Sequence, residues 1–318
     1  MKVCVLGANS FSGQDFVDLL LSVRDYSVIG ISRSAERSEV FLKYKTNPNV
    51  GRYRYFQFDF NKDMQKLLEL FDTEKPDLIV NFAAQSEVGP SWDFPEHWYQ
   101  TNCVALATMV NHLRKRNYLK RYLHISSPEV YGSCSGLVPP TTPPNPSTPY
   151  AASKAAADDL LKTYAQQFGF PLVPVRATNV YGAGQQLFKI IPRSVIYTLI
   201  KKTIELHGGG IAVKSYIHIR DVSEGELAVL EKGRLNTIYH LGPKQGVAVR
   251  DVVKTICESM GVLFDDVTKT VEERPGQDKA YLIDSTLAEN EFGWKPVVSL
   301  NTVIEEVTTW INKYWNMI

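Results

Sequence analysis

Six short apolar runs, KVCVL, YSVIGIS, YRYFQF, DLIVNFAA, RYLHIS and PLVPVRA, alternate with longer stretches of helical period. That alternation constrains the fold more than any other feature of the chain. Strands separated by helices pair in parallel, and a strand that is apolar along its whole length is buried on both faces. The expected helices lie near Gln14–Arg24, Met64–Phe71, Trp98–Asn117 and Ala151–Phe168. The reading is an α/β fold, a doubly wound parallel sheet with helices on both sides. After Arg176 the rhythm changes. The loop NVYGAGQQ leads to a helix near Ile190–Lys201, a glycine triplet in LHGGGIAVKSYIH, and helices near Asp221–Glu231, Val249–Met260 and Leu300–Trp315. The expected division is a sheet domain over residues 1–176, rejoined by segments near 219–247, and a smaller α/β lobe over residues 177–318.

The first strand runs into VCVLGANSFSGQDFV, where a phosphate-binding turn of the G-x-G-x-x-G kind would carry three glycines. Gly7 ends the strand and Gly13 falls in the opening of the helix, but Ser10 takes the middle place. Serine is small and its hydroxyl can donate to phosphate, so a variant pyrophosphate site at a helix N-terminus survives. The turn alone does not separate that site from an ordinary strand–helix junction. The second strand adds to the case. An acid about 20 residues beyond the glycines would bond a ribose 2′-OH, whereas this chain has Ser32 and Arg33 there, with Arg37 nearby. Arg33 suits a 2′-phosphate, so the expected cofactor is NADP, with NAD as the alternative.

STPYAASKAAADDLL places Tyr150 and Lys154 on one helical face. A nearby ammonium is expected to lower the tyrosine pKa, preparing the phenol to take a proton from an alcohol. A second Tyr-x-x-x-Lys copy, Tyr197–Lys201, has no serine-bearing strand before it and is read as chance. Tyr150 does have one, since RYLHISSPEVYG puts Ser127 at the end of the fifth strand.

The bulk properties narrow the partners. With 35 basic and 34 acidic residues, the net charge of +1 gives no attraction for nucleic acid or a membrane surface. No run approaches the roughly 18 apolar residues of a membrane span, and MKVCVLG lacks the features of a signal peptide. Four scattered cysteines and six histidines without ligand spacing point to a cytoplasmic chain with no metal site.

Five further segments carry a specific resemblance: VNFAAQSEVGPSW, YQTNCVAL, RATNVYGAGQ, LHGGGIAVKSYIHIRDV and ERPGQDKAYLIDSTLAENEFGWKP. In order and spacing they resemble the extended short-chain dehydrogenase/reductases, in the nucleotide-sugar epimerase and dehydratase group, from Val3 to about Trp294. The resemblance implies a Rossmann-type domain, a nucleotide-diphosphate sugar as substrate, and a tightly bound cofactor regenerated in each turnover. It implies a catalytic set of Ser127, Tyr150 and Lys154, with Glu129 removing the C5 proton. Cofactor contacts implied beside Tyr150 and Lys154 are Gly7, Asn9, Ser10, Phe11 and Gly13 in the first turn, and Ser32, Arg33, Asp59 and Phe60 after the second and third strands. Phe82, Ala83, Ala84, Ser86, Thr101 and Ala177 complete that set. Substrate contacts implied are Ser86, Glu87, Ser127, Pro128, Asn179, Gln186, Pro192, His207, Lys214, Arg274 and Asp278, with Asn179, Lys214 and Arg274 on the diphosphate.

The activity implied is a nucleotide-sugar 4,6-dehydratase that forms a 4-keto-6-deoxyhexose by transient C4 oxidation, water elimination and hydride return. The alternatives are a C4 or C2 epimerase, a C4 dehydrogenase or reductase, and a non-catalytic NADP-binding regulator, which the intact Ser127, Tyr150 and Lys154 oppose. Gln85–Ser86 leans toward the GDP-mannose enzymes. Pro128 stands where many dTDP-glucose enzymes have an aspartic acid, and proline donates no proton. The family pattern also implies a homodimer through a four-helix bundle. The helices for it carry Ala105, Leu106, Met109, Leu113, Ala155, Leu160, Leu161 and Tyr164 on more than one face.

Overall fold

Seven strands pair in parallel in the computed structural model, which describes residues 1–273 and 282–318. They are β1 (Lys2–Leu6), β2 (Ser27–Ser32), β3 (Tyr53–Gln57), β4 (Leu78–Asn81), β5 (Arg121–Ile125), β6 (Leu172–Ala177) and β7 (Tyr239–Leu241). Their spatial order is β7-β6-β5-β4-β1-β2-β3. The chain leaves β1 toward β2 on one side and returns to β4 on the other. A crevice therefore opens beyond the carboxyl ends of β1 and β4, the place where such sheets bind ligands.

Side-chain alternation along β1 divides the core in two. Val3 and Val5 face α1 (Phe11–Val23) and α6 (Ile219–Lys232), in a cluster with Phe16, Leu20, Val222 and Leu230. Cys4 and Leu6 face α2 (Met64–Glu74), α3 (Leu106–Leu113) and α4 (Pro149–Phe168), packing with Phe71, Met109 and Leu161. A third cluster joins α5 (Ile190–Leu199), α7 (Val249–Ser259) and α8 (Leu300–Tyr314) around Val195, Ile256 and Val307.

The structure differs from the sequence reading at two places. β7 was expected only as a returning segment. It is three residues long, too short for a periodic signal, and is held by pairing with β6. The single helix expected over Trp98–Asn117 is interrupted, with a helix at Pro95–Tyr99, a wide π-type turn at Gln100–Ala105, and α3 after it. No glycine or proline marks this break. Its cause is tertiary: Asn102 exchanges hydrogen bonds with the Gln85 backbone at 2.9 and 3.1 Å and donates to Ser153 Oγ at 2.9 Å. Wide turns of this type concentrate at functional sites.

Candidate active site

Two adjoining clefts of about 620 and 520 Å³ lie at the carboxyl edge of the sheet and share Ser86, Glu87, Pro90 and Phe188. The smaller begins at the first turn. Gly7 has φ +80°, and a Cβ there would press on the Ala83 backbone nitrogen at 2.8 Å. A Cβ on Gly13 would run into the Gly7 carbonyl. The two glycines thus allow β1, α1 and β4 to meet closely enough to leave a cradle. Ser10 resolves the question of the missing glycine. It caps α1, its Oγ accepting from Gly13 N–H at 3.0 Å, so the hydroxyl proton is left to donate into the cleft. The cradle, the capped helix N-terminus and the apolar walls fit a dinucleotide.

Gly7, Asn9, Ser10, Ser32, Arg33, Asp59, Phe60, Phe82, Ala83, Ala84, Ser86 and Thr101 all line this cleft. Phe11 and Gly13 are buried behind it. Ala177 ends β6 and lines neither cleft. Arg33 donates to Gln85 Oε1 at 3.2 Å, and Arg37 and Ser34 complete the same edge. Gln186 was expected on the substrate side and lines the cofactor cleft instead. Gly182 and Gly184, at φ +154° and +84°, turn the loop across the junction and carry Gln186 and Phe188 over it.

The larger cleft takes Ser86, Glu87, Glu129, Asn179, His207 and Lys214 from the expected set. Ser127 and Pro128 are buried, and Ser127 Oγ accepts from Glu129 N–H at 3.2 Å, shaping a turn that presents the Glu129 carboxyl. Pro192 does not line the cleft. It sits in the first turn of α5, where its missing N–H costs nothing, and packs inward. Arg274 and Asp278 lie outside the described residues. Two cations absent from the sequence reading, Lys189 and Arg193, line the cleft. Their signal was present, as the only charges in FKIIPRSVIYTLI, spaced four apart at the start of a helix. Tyr197 and Lys201, the second copy, line neither cleft.

Tyr150 and Lys154 come from the first two turns of α4, which Thr148 caps by accepting from Ala151 N–H at 3.1 Å. Lys154 donates to the Ile125 carbonyl at 2.8 Å, tying α4 to the end of β5. Burial pulls its pKa down to about 8. The expected lowering of the Tyr150 pKa is not found. Burial raises it, the Glu129 carboxylate raises it further, and the Ser127 hydroxyl hydrogen-bonded to the phenol works in the opposite direction. The ammonium is committed to a backbone carbonyl, so burial prevails. Ser127, Glu129 and Tyr150 are nevertheless brought into one constellation, with Glu129 lining the larger cleft while Ser127, Tyr150 and Lys154 line neither. Among the described residues no group of three or more potential metal ligands is present.

This fold and this constellation define a short-chain dehydrogenase/reductase of the extended, nucleotide-sugar-modifying kind. The model of the GDP-mannose 4,6-dehydratase family matches residues 4–307, and the chain belongs to that family. A dTDP-glucose 4,6-dehydratase of Xanthomonas campestris is 30% identical over 266 residues, covering 77% of this chain and 76% of the relative. The structure of DesIV, a dTDP-glucose 4,6-dehydratase from Streptomyces venezuelae with NAD and TYD bound, superposes with a TM-score of 0.91 at 29% identity, covering 99% of this chain and 98% of that one. A UDP-glucuronic acid 4-epimerase from Bacillus cereus, solved with UDP-glucuronic acid and NAD, superposes at 0.87 with 25% identity, covering 98% and 99%. The chain is a nicotinamide-dependent nucleotide-sugar 4,6-dehydratase, and the epimerase stands further from it.

Proposed function

We propose that the substrate is a nucleoside diphosphate bound to a neutral hexose, that the cofactor is NADP, and that Glu129 is the base of the elimination. The observation that carries this reading is the pair of carboxylates, Glu87 and Glu129, at the catalytic end of the substrate cleft. They repel a uronate and accept hydrogen bonds from sugar hydroxyls, so a hexose with a free C6 hydroxyl is favoured, which is what dehydration requires. The same cleft carries Lys189, Arg193 and Lys214, whose charges suit a diphosphate, alongside Glu205 and Glu273. Lys214 gives charge there without the bidentate fork of an arginine.

Tyr150, bonded to Ser127, takes the O4 proton as its phenolate, the form that burial disfavours and that the positive charge of a bound oxidised nicotinamide would favour. A nicotinamide held in the cofactor cleft would supply the hydride acceptor for C4 and the hydride donor for C6. With C4 a ketone, the C5 proton is acidic and Glu129 removes it. Pro128 supplies no acid, so Glu129 passes that proton to the departing C6 hydroxyl as water leaves. Arg33, Arg37, Ser32 and Ser34 at the cofactor-cleft edge favour a 2′-phosphate over a bare ribose. Cys4 and Cys257, buried and unpaired, suit a reducing compartment, and we place the enzyme in the cytoplasm.

Incubation with GDP-, dTDP-, UDP- and CDP-hexoses is expected to give one product lighter by a water. An unchanged mass with a new retention time would mark epimerisation and overturn the reading. Denaturing the purified protein is expected to release NADP or NADPH, and Arg33→Asp to shift preference toward NAD. Release of NAD alone would reject the Arg33 assignment.

A homodimer packed through α3 and α4 is also proposed. Of the residues expected on its surface, Ala105, Leu106, Met109, Leu113, Ala155 and Leu161 are buried within the chain itself. Leu160 and Tyr164 stay half-buried, and exposed apolar surface is left at Tyr99 and Val104, just ahead of α3, and at Ala156 and Phe168 on α4. Sedimentation at micromolar concentration is expected to show a dimer that Val104→Glu dissociates.

A further inference from the structure

Behind the catalytic constellation lies a buried polar network that the reaction, as described, does not use. Asp158 is one helical turn beyond Lys154 on α4, so Tyr150, Lys154 and Asp158 form a row at four-residue spacing. Asp158 Oδ2 accepts from Ser126 Oγ at 2.6 Å and from Arg176 Nη2 at 2.7 Å. Arg176, with only 3% of its side chain exposed, also donates to the Tyr131 hydroxyl, which lies 2.8 Å from His240 Nε2. Ser126 and Tyr131 bracket the turn that carries Ser127 and Glu129. One carboxylate therefore reaches both ends of that turn, directly or through Arg176, from the helix that bears Tyr150 and Lys154.

The groups facing Lys154 are Asp158 on its own helix, Cys103 from the wide turn, and His124 and Arg176 from β5 and β6. Asp158 also faces Tyr150. His124 Nε2 is 3.6 Å from Asp158 Oδ1, too long for a hydrogen bond, and neither of its ring nitrogens has a partner among the described residues. Burial keeps that imidazole neutral. Asp158 lies one turn from Lys154 on the same helical face and is the one carboxylate among these groups, its own ion pair being with Arg176.

We infer that Asp158 is a positioning residue, serving as counter-charge to the Lys154 ammonium and as the anchor that sets Ser127 and Glu129 against Tyr150. The inference rests on the roles proposed for Tyr150, Lys154 and Glu129.

The test uses the holoenzyme and its Asp158→Asn, Asp158→Glu and Ser126→Ala variants. Lys154 is titrated by NMR of its labelled side chain, assigned by the loss of its signal in Lys154→Met. In Asp158→Asn the ammonium is expected to lose its proton about one pH unit earlier. The basic limb of kcat/KM on the dehydrated sugar nucleotide is expected to move with it, and Asp158→Glu to restore both. Ser126→Ala is expected to leave the Lys154 titration in place while lowering kcat at nearly constant KM. A Lys154 titration unmoved in Asp158→Asn overturns the counter-charge role, and wild-type kcat in Ser126→Ala overturns the anchor. Should Asp158→Asn fail to fold, Asp158→Ala decides for the counter-charge by the same Lys154 titration and Ser126→Ala for the anchor by its kcat; an unmoved titration with a wild-type kcat rejects the inference. A shifted titration in a protein that dehydrates none of the sugar nucleotides would instead reject the proposed function while supporting the counter-charge.

Discussion

Glu129→Gln is expected to form reduced cofactor on its sugar nucleotide and then stall. Glutamine keeps the size of the side chain and removes its capacity to take a proton. C4 oxidation rests on Tyr150 and Ser127 and survives. Loss of a positioned general base costs about 10²–10⁴-fold, and here the same carboxyl also protonates the leaving hydroxyl, so the upper part of that range is expected. The assay is run in D₂O, following reduced nicotinamide by absorbance together with C5 deuterium incorporation and water loss by mass. Accumulation of reduced cofactor with both later signals collapsed is the expected pattern. Elimination at the wild-type rate would remove Glu129 from the mechanism. The substitution also removes a charge that raises the Tyr150 pKa, so the oxidation half-reaction is expected to extend to lower pH than in the wild type.

The second large effect concerns stability in mild acid. His124 and His240 are 2% and 0% exposed. Burial holds His124 well below the usual imidazole pKa and pulls His240 down to about 3. Folded pKa values lowered in this way mean that only the unfolded chain takes up these two protons below about pH 6.5, so stability falls as pH falls. Glu226 works in the opposite sense. It is 1% exposed, and burial, reinforced by Asp15, raises its pKa well above the usual carboxyl value. The folded chain therefore holds a proton that the unfolded chain lacks until about pH 4.5. The two histidines outweigh the single carboxyl, so stability falls as pH drops from about 6 to 5. Glu226→Gln removes the opposing term. It is expected to stabilise the protein at pH 7 and to steepen that fall. Urea titrations at intervals from pH 7 to 5 measure both, and parallel curves for the two proteins would reject the assignment.

The strands and the catalytic helix are legible in the sequence because their signals are local. Val3–Leu6 and Leu78–Val80 are apolar throughout since both sheet faces are covered, and Tyr150 and Lys154 declare themselves by spacing together with the serine-bearing strand before them. What escapes is whatever depends on a distant partner. The break at Gln100–Ala105 is made by Asn102 reaching Gln85 and Ser153, and no breaker residue announces it. SKAAADDLL offers two adjacent aspartates, and only the helix phase against β5 and β6 selects Asp158. Lys189 and Arg193 are visible as charges, but their shared cleft is assembled with His207 and Lys214 from later in the chain. The Tyr150 pKa fails for a related reason, since a one-dimensional pattern carries the neighbouring lysine and omits the burial that outweighs it.

The origin of the cleft walls bears on how such an enzyme changes its diet. Ser127, Glu129, Tyr150 and Lys154 come from β5, the turn after it and α4, locked to one another by the Lys154–Ile125 bond and the Asp158 contacts. Another wall of the larger cleft, to which we assign the nucleotide, comes from elsewhere: α5, the strand Ile204–His207 and the segment around Lys214. Substitutions in that second wall leave the first one's hydrogen bonds untouched. Mutational drift can therefore explore new bases and new leaving groups at the anomeric end while the eliminating machinery is inherited intact.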